Sequence, residues 1–174
     1  MRIQKLKSVM AKNVSKEELD RILHHHTLAA SGVGLLPIFA ADIAGLITIQ
    51  LRMLKEIAEL YEVPYRKEAV KKVLTSLIGS MFLANSFPWL ASAVKLIPIV
   101  GQTLGIVTMP IICSASTYAT GKVFIQHFDS GGTLLTFDPE KVKAYYAEML
   151  KEGKSIAVNI TNNDLVKNQN KRPV

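Results

Sequence analysis

Cysteine is almost absent from this chain. Cys113 is the single one in 174 residues, so no intrachain disulfide can form. Its apolar setting in "MPIICSAS" reads as a buried, inert thiol, and a lone cysteine fits a reducing, cytoplasm-facing protein. No stretch alternates apolar and polar residues as a half-buried strand does. Phosphate-cradling glycine loops are missing too: neither GxxxxGK[ST] nor GxGxxG occurs, and "SGVGLLP" has no following lysine. No short apolar run with a cleavage site opens the chain, so no secretory signal is expected. "HHH", His24 to His26, is no metal site, because successive helical residues diverge by about 100°. His26 should face the core and the other two the surface. His127 is solitary, Ser114 and Ser116 have no base beside them in the sequence, and Asp129 and Asp138 only flank a Gly-Gly loop. With no catalytic residue, metal-ligand set or cofactor motif to name, the expectation is a protein that is not an enzyme.

Charge is scarce in a local sense. It is concentrated in residues 1–21, in 52–72 and after Gly121, and the stretches between are nearly free of it. The net charge of +7, with a pI near 9.5 and a mean hydropathy of +0.23, calls for an anionic partner, either nucleic acid or anionic lipid. The basic residues flank apolar stretches and are not interleaved with aromatics, which favours lipid and gives no reason to expect nucleic acid. Arg66, Lys67, Lys71 and Lys72 are the candidate lipid-contacting residues.

What is present reads as an all-α chain of about six helices. Ser15 should cap the first, with Glu17 and Glu18 in its opening turn. Pro37 should end it. A second, amphipathic helix runs from about Ala40 to Tyr61 and is closed by Pro64. A third begins with the basic "RKEAVKK", loses all charge from Val73 to Val94, and is bent or divided at Pro88. Another starts near Gly101, is kinked at Pro110 and continues through "YATGKVFIQHF". In the last, Asp138 is the N-cap, Pro139 the first helical residue and Gly153 the C-cap. Residues 1–158 read as one helical domain, and 159–174 as a polar, disordered tail. "LLPIFAAD" and "KLIPIVGQ" look like one phrase written twice. Either the chain carries a duplicated helical hairpin with corners at Pro37 and Pro98, or two apolar corners resemble each other. Gly34 and Gly101 would permit close approach at those corners, and Asp42 would cap the helix after the first.

Val73–Val94 and Leu96–Thr120 each reach the length a spanning helix needs, ~20 apolar residues. Lys95 between them would mark the far side of a two-pass hairpin, with both basic flanks cytoplasmic. Thr27–Leu51 fits less well, because Pro37 and Asp42 interrupt it. It reads as a re-entrant or interfacial hairpin, or as a soluble amphipathic one. Ser76, Ser80 and Ala84 form a small-residue stripe, and Gly101 and Gly105 a GxxxG pair. Either would suit helix association in a membrane or close packing in a soluble bundle.

"HHTLAASGVGLLPIFAADIAGLITIQLRMLKEIAELY", "VKLIPIVGQTLG" and "YATGKVFIQHF" occur in the order found in the bacterial domain-of-unknown-function 697 family, the YcjF-like proteins. Over about residues 20–130 the chain resembles that family. The resemblance implies a helical, membrane-associated domain, often joined to or encoded near small GTPases. No GTPase domain accompanies it in this chain, so a small GTPase would be a separate partner. The resulting expectation is a bacterial inner-membrane protein, its basic segments cytoplasmic, that binds anionic lipid, forms a homo-oligomer and acts as an anchor or scaffold. A soluble self-assembling helical adaptor, or a pore or transporter component with Asp42 lining a path, are the alternatives.

Overall fold

The computed structural model describes the backbone of residues 14–33, 39–83 and 88–169, and the side chains of 14–33, 44–77 and 109–159. Five helices make up the described chain: α1 Lys16–Val33, α2 Phe39–Leu60, α3 Lys67–Leu83, α4 Pro88–Asp129 and α5 Pro139–Gln169. The described residues contain no strand. The all-α reading therefore holds, with one helix fewer than expected.

The helix starts follow local chemistry. Ser15 Oγ accepts the Glu18 N–H at 3.3 Å, and Asp138 Oδ1 accepts the Glu140 N–H at 3.1 Å. Each side chain satisfies an amide that the first turn leaves without a partner. Pro88 and Pro139 open α4 and α5, where a missing N–H costs nothing. Phe39 opens α2, which makes Asp42 its fourth residue. Asp42 is thus in the first turn, where negative charge favours the dipole, and not at the capping position before it.

Side-chain contacts set the helix directions. Val33 lies against Gly45 and His26 faces Glu56 at 3.5 Å, so α1 and α2 are antiparallel. Gln50 reaches Ser116, and Tyr61 reaches Asp129, so α2 and α4 run parallel. Ser114 bonds the Thr27 carbonyl, Leu23 meets Gly121, and α1 therefore opposes α4. Tyr118 bonds Glu152 and Gly153 packs on Ala115, so α5 also opposes α4. The core between them is built from Leu23, Met53, Leu54, Ile57, Val123, Phe124, Tyr146 and Leu150, with Val70, Leu74 and Leu77 of α3. Phe124 stacks on Phe137 at 4.3 Å between centroids.

Three expectations are corrected here. First, α4 runs unbroken through Lys95, Pro98, Gly101, Gly105 and Pro110. The chain does not reverse at Pro98, Gly101 is not a corner, and Lys95 does not mark a turn between two crossings. A proline inside a helix removes one N–H and frees one carbonyl but does not compel a reversal. The first corner is different: residues 34–38, with Gly34 and Pro37, lie outside the described residues, while the helices on either side of them do fold back on each other. Second, Gly153 is no C-cap, because α5 continues to Gln169, so residues 159–169 are helical and not part of a disordered tail. A Cβ there would sit 3.0 Å from the Cα and carbonyl oxygen of Ala115, so glycine serves the α4–α5 contact. Third, Leu96–Thr120 is not a lipid-facing span along its length. Cys113, Ser114, Ala115, Thr117, Tyr118, Ala119 and Thr120 are buried among the other helices. Among the described residues, no helix is long and apolar enough to cross a membrane.

Candidate functional site

The helix directions sort the charges. Gly121 is touched by Leu23 of α1 and Met53 of α2, so these three residues share one level of the bundle. Beyond it, toward the C-terminus of α1 and the N-termini of α2 and α4, charge stops. In α1 no charged residue follows Arg21. In α2, between Arg52 and the helix start, only Asp42 is charged. In α4, between Lys122 and the helix start, only Lys95 is charged. α3 sets off from the opposite, charged end and has no charge after Lys72. α5 has none between Lys154 and Asp164. Three charge-poor segments that the sequence writes far apart therefore occupy one half of the molecule.

The described surface of that half mixes exposed polar residues, His24, His25 and Asn159, with groups that suit an apolar medium. Leu28 and Val158 are two of the three large hydrophobic residues exposed among the described residues. Ser31, Thr48 and Thr75 donate their hydroxyl protons to carbonyls of their own helices, at 2.6, 2.8 and 2.8 Å. A hydroxyl satisfied in this way needs no water.

Inside the bundle at the same depth runs a polar seam that composition alone does not single out. Gln50, fully buried, donates to Ser116 Oγ at 3.2 Å. Ser116 Oγ and the Tyr146 hydroxyl are 3.0 Å apart, and Ser114 donates to the Thr27 carbonyl at 3.0 Å. Burial raises the Tyr146 pKa, while the neighbouring Ser116 and Thr120 hydroxyls pull it back. The seam is written in "CSASTYAT", residues 113–120, whose small and hydroxylic residues let α1, α2 and α5 approach α4 closely. His26 is buried as expected, with Nδ1 3.0 Å from the Ile22 carbonyl, and His24 and His25 are exposed. Among the described residues, no group of three or more His, Cys, Asp or Glu could hold a metal ion.

The basic candidates Arg66, Lys67, Lys71 and Lys72 are all exposed at the start of α3. An open groove of ≈ 540 Å³ beside them is lined by Glu68, Lys71, Lys72, Thr75 and Ser76. Ser76 is exposed there. Ser80 lies on α3, and Gly101 and Gly105 on α4, at positions whose side-chain environment is outside the described residues, as is that of Asp42. Ala84 is outside them altogether.

Residues 2–155 match the family described as Domain of unknown function (DUF697). The chain is also 34% identical over 142 residues to the "Magnetosome membrane protein 22" of Magnetospirillum gryphiswaldense, a similarity covering 81% of this chain and 73% of that protein. No solved structure matches.

Proposed function

The chain belongs to the DUF697 family, and from that premise we propose that it is a small membrane-associated helical protein whose charge-poor half contacts the bilayer. The observation that carries this reading is the gathering of the charge-poor parts of α1, α2 and α4 into one half of the bundle. The relative named as a magnetosome membrane protein supports it. Moving charge into hydrocarbon is costly, so a helical protein that meets lipid must present such a face. The role is that of an anchor or oligomerising scaffold on the bacterial inner membrane, with the charged half on the cytoplasmic side and a separate small GTPase as a partner.

Flotation of the purified full chain with vesicles tests this. Trp89 is the only tryptophan and belongs to the charge-poor part of α4, which carries Lys95 alone. The expected result is co-flotation, with Trp89 emission quenched by brominated acyl chains. A chain that stays at the bottom of the gradient with every vesicle composition, and forms defined oligomers in buffer, would overturn the reading in favour of a soluble self-assembling adaptor.

A further inference from the structure

On every helix the charged residue at the edge of the charge-poor half is basic: Arg21 on α1, Arg52 on α2, Lys72 on α3, Lys122 on α4 and Lys154 on α5, while Asp42, Lys95, Asp164 and Lys167 lie farther along α2, α4 and α5. The nearest acid always lies on the charged side of it: Asp20, Glu56, Glu68, Asp129 and Glu152 respectively. Arg21, Arg52 and Lys122 are one or two residues from the level where Leu23, Met53 and Gly121 meet, within ~3 Å of rise. Arg21, Arg52 and Lys72 are exposed, and Lys122 and Lys154 partly so. Lys122 Nζ lies 5.9 Å from the Tyr118 ring centroid. Lys154 sits about two turns deeper, since Gly153 packs on Ala115.

We propose that these five residues form a basic girdle that seats on the phosphate layer of an anionic bilayer and sets how deep the charge-poor half enters. The proposal rests on the membrane reading above and adds the lipid class and the residues that select it. Long basic side chains at such a boundary lay their stems along apolar surface and carry their charges to the headgroups.

The test compares two variants of the full chain with the same loss of charge. One is Arg21→Gln/Arg52→Gln/Lys122→Gln at the boundary. The other is Lys16→Gln/Lys141→Gln/Lys143→Gln at the far, charged end. Each is floated with vesicles of pure phosphatidylcholine, and with vesicles containing phosphatidylglycerol as three lipids in ten. Removing a basic residue at an anionic surface weakens binding roughly fivefold, so the boundary variant should lose about a hundredfold on the anionic vesicles. The far-end variant, its charges about one Debye length farther from the lipid, should lose no more than about tenfold. Arg21→Lys/Arg52→Lys, which keeps the charge, should bind like the parent, and circular dichroism should give all variants the parent's helicity. Equal losses in both glutamine variants would overturn the girdle in favour of net charge alone. Undiminished binding of the boundary variant would overturn both the girdle and a net-charge account. Either outcome leaves the membrane reading standing. A parent that floats with neither vesicle would overturn both.

Discussion

Glu62 and Gly131 do the same job with unequal ease. Each follows the end of a helix in the left-handed region, at φ of 53° and 76°. After α2, the Val63 N–H bonds the Ala58 carbonyl at 2.8 Å and the Glu62 N–H bonds that of Glu59 at 3.1 Å. After α4, Gly132 bonds His127 and Gly131 bonds Phe128 in the same pattern. This closure favours glycine, because a Cβ crowds the backbone there. Glu62→Gly should therefore raise the urea midpoint by the equivalent of roughly 0.5–1 kcal/mol at unchanged slope. A lowered midpoint would mean that the Glu62 side chain does something the turn does not reveal. Two tyrosines give a second prediction. Tyr61 donates to Asp129 at 2.7 Å and Tyr118 to Glu152 at 2.6 Å. Burial first, and then those carboxylates, push both phenols well above their ordinary pKa. The unfolded chain thus gives up these protons first. Their contribution is whole below about pH 10 and is lost as pH rises further. The melting temperature should fall above pH 10, and less steeply in Tyr61→Phe/Tyr118→Phe.

Glycine also distinguishes contacts between elements. Gly153 lets α5 touch the backbone of α4, and a Cβ there would press on main-chain atoms that cannot move aside. Gly153→Ala should cost about 1–3 kcal/mol in chemical denaturation. Gly32 has nothing near its would-be Cβ and lies inside α1, so Gly32→Ala should stabilise by up to ~1 kcal/mol. The α1–α2 hairpin is testable directly. A Cβ on Gly45 would lie 3.8 Å from that of Val33, a separation that suits a disulfide. Val33→Cys/Gly45→Cys in a Cys113→Ser background should form an intramolecular bridge on mild oxidation, seen as a mobility shift that dithiothreitol reverses. Free thiols after oxidation would separate the two helices and undo the shared level of Arg21 and Arg52.

For the whole molecule, polarity from end to end is the central property. Leu135, 76% exposed, stands on the loop between α4 and α5 at the charged end. A single-tryptophan variant, Trp89→Phe/Leu135→Trp, should float with vesicles yet escape quenching by brominated chains, whereas the parent is quenched. Quenching at position 135 would reverse the orientation and place the charged end, with Arg66 and Lys67, against the lipid.

The sequence by itself settled the helical class, the caps at Ser15 and Asp138, the buried His26 and the family. Each depends on residues close together in the chain, or on a pattern carried along it. It also suggested wrong stops. A glycine near a helix end and a proline in an apolar run look like boundaries, but Gly153 and Pro98 lie inside α5 and α4. Whether such a residue ends a helix or lets another pass close by depends on its neighbours in space. Only the tertiary structure joined the scattered charge-poor stretches into one half of the bundle and set Arg21, Arg52 and Lys122 at one level. No spacing along the chain encodes that arrangement, since it follows from helix direction and register, fixed by pairs such as Gln50 with Ser116 and Leu23 with Gly121.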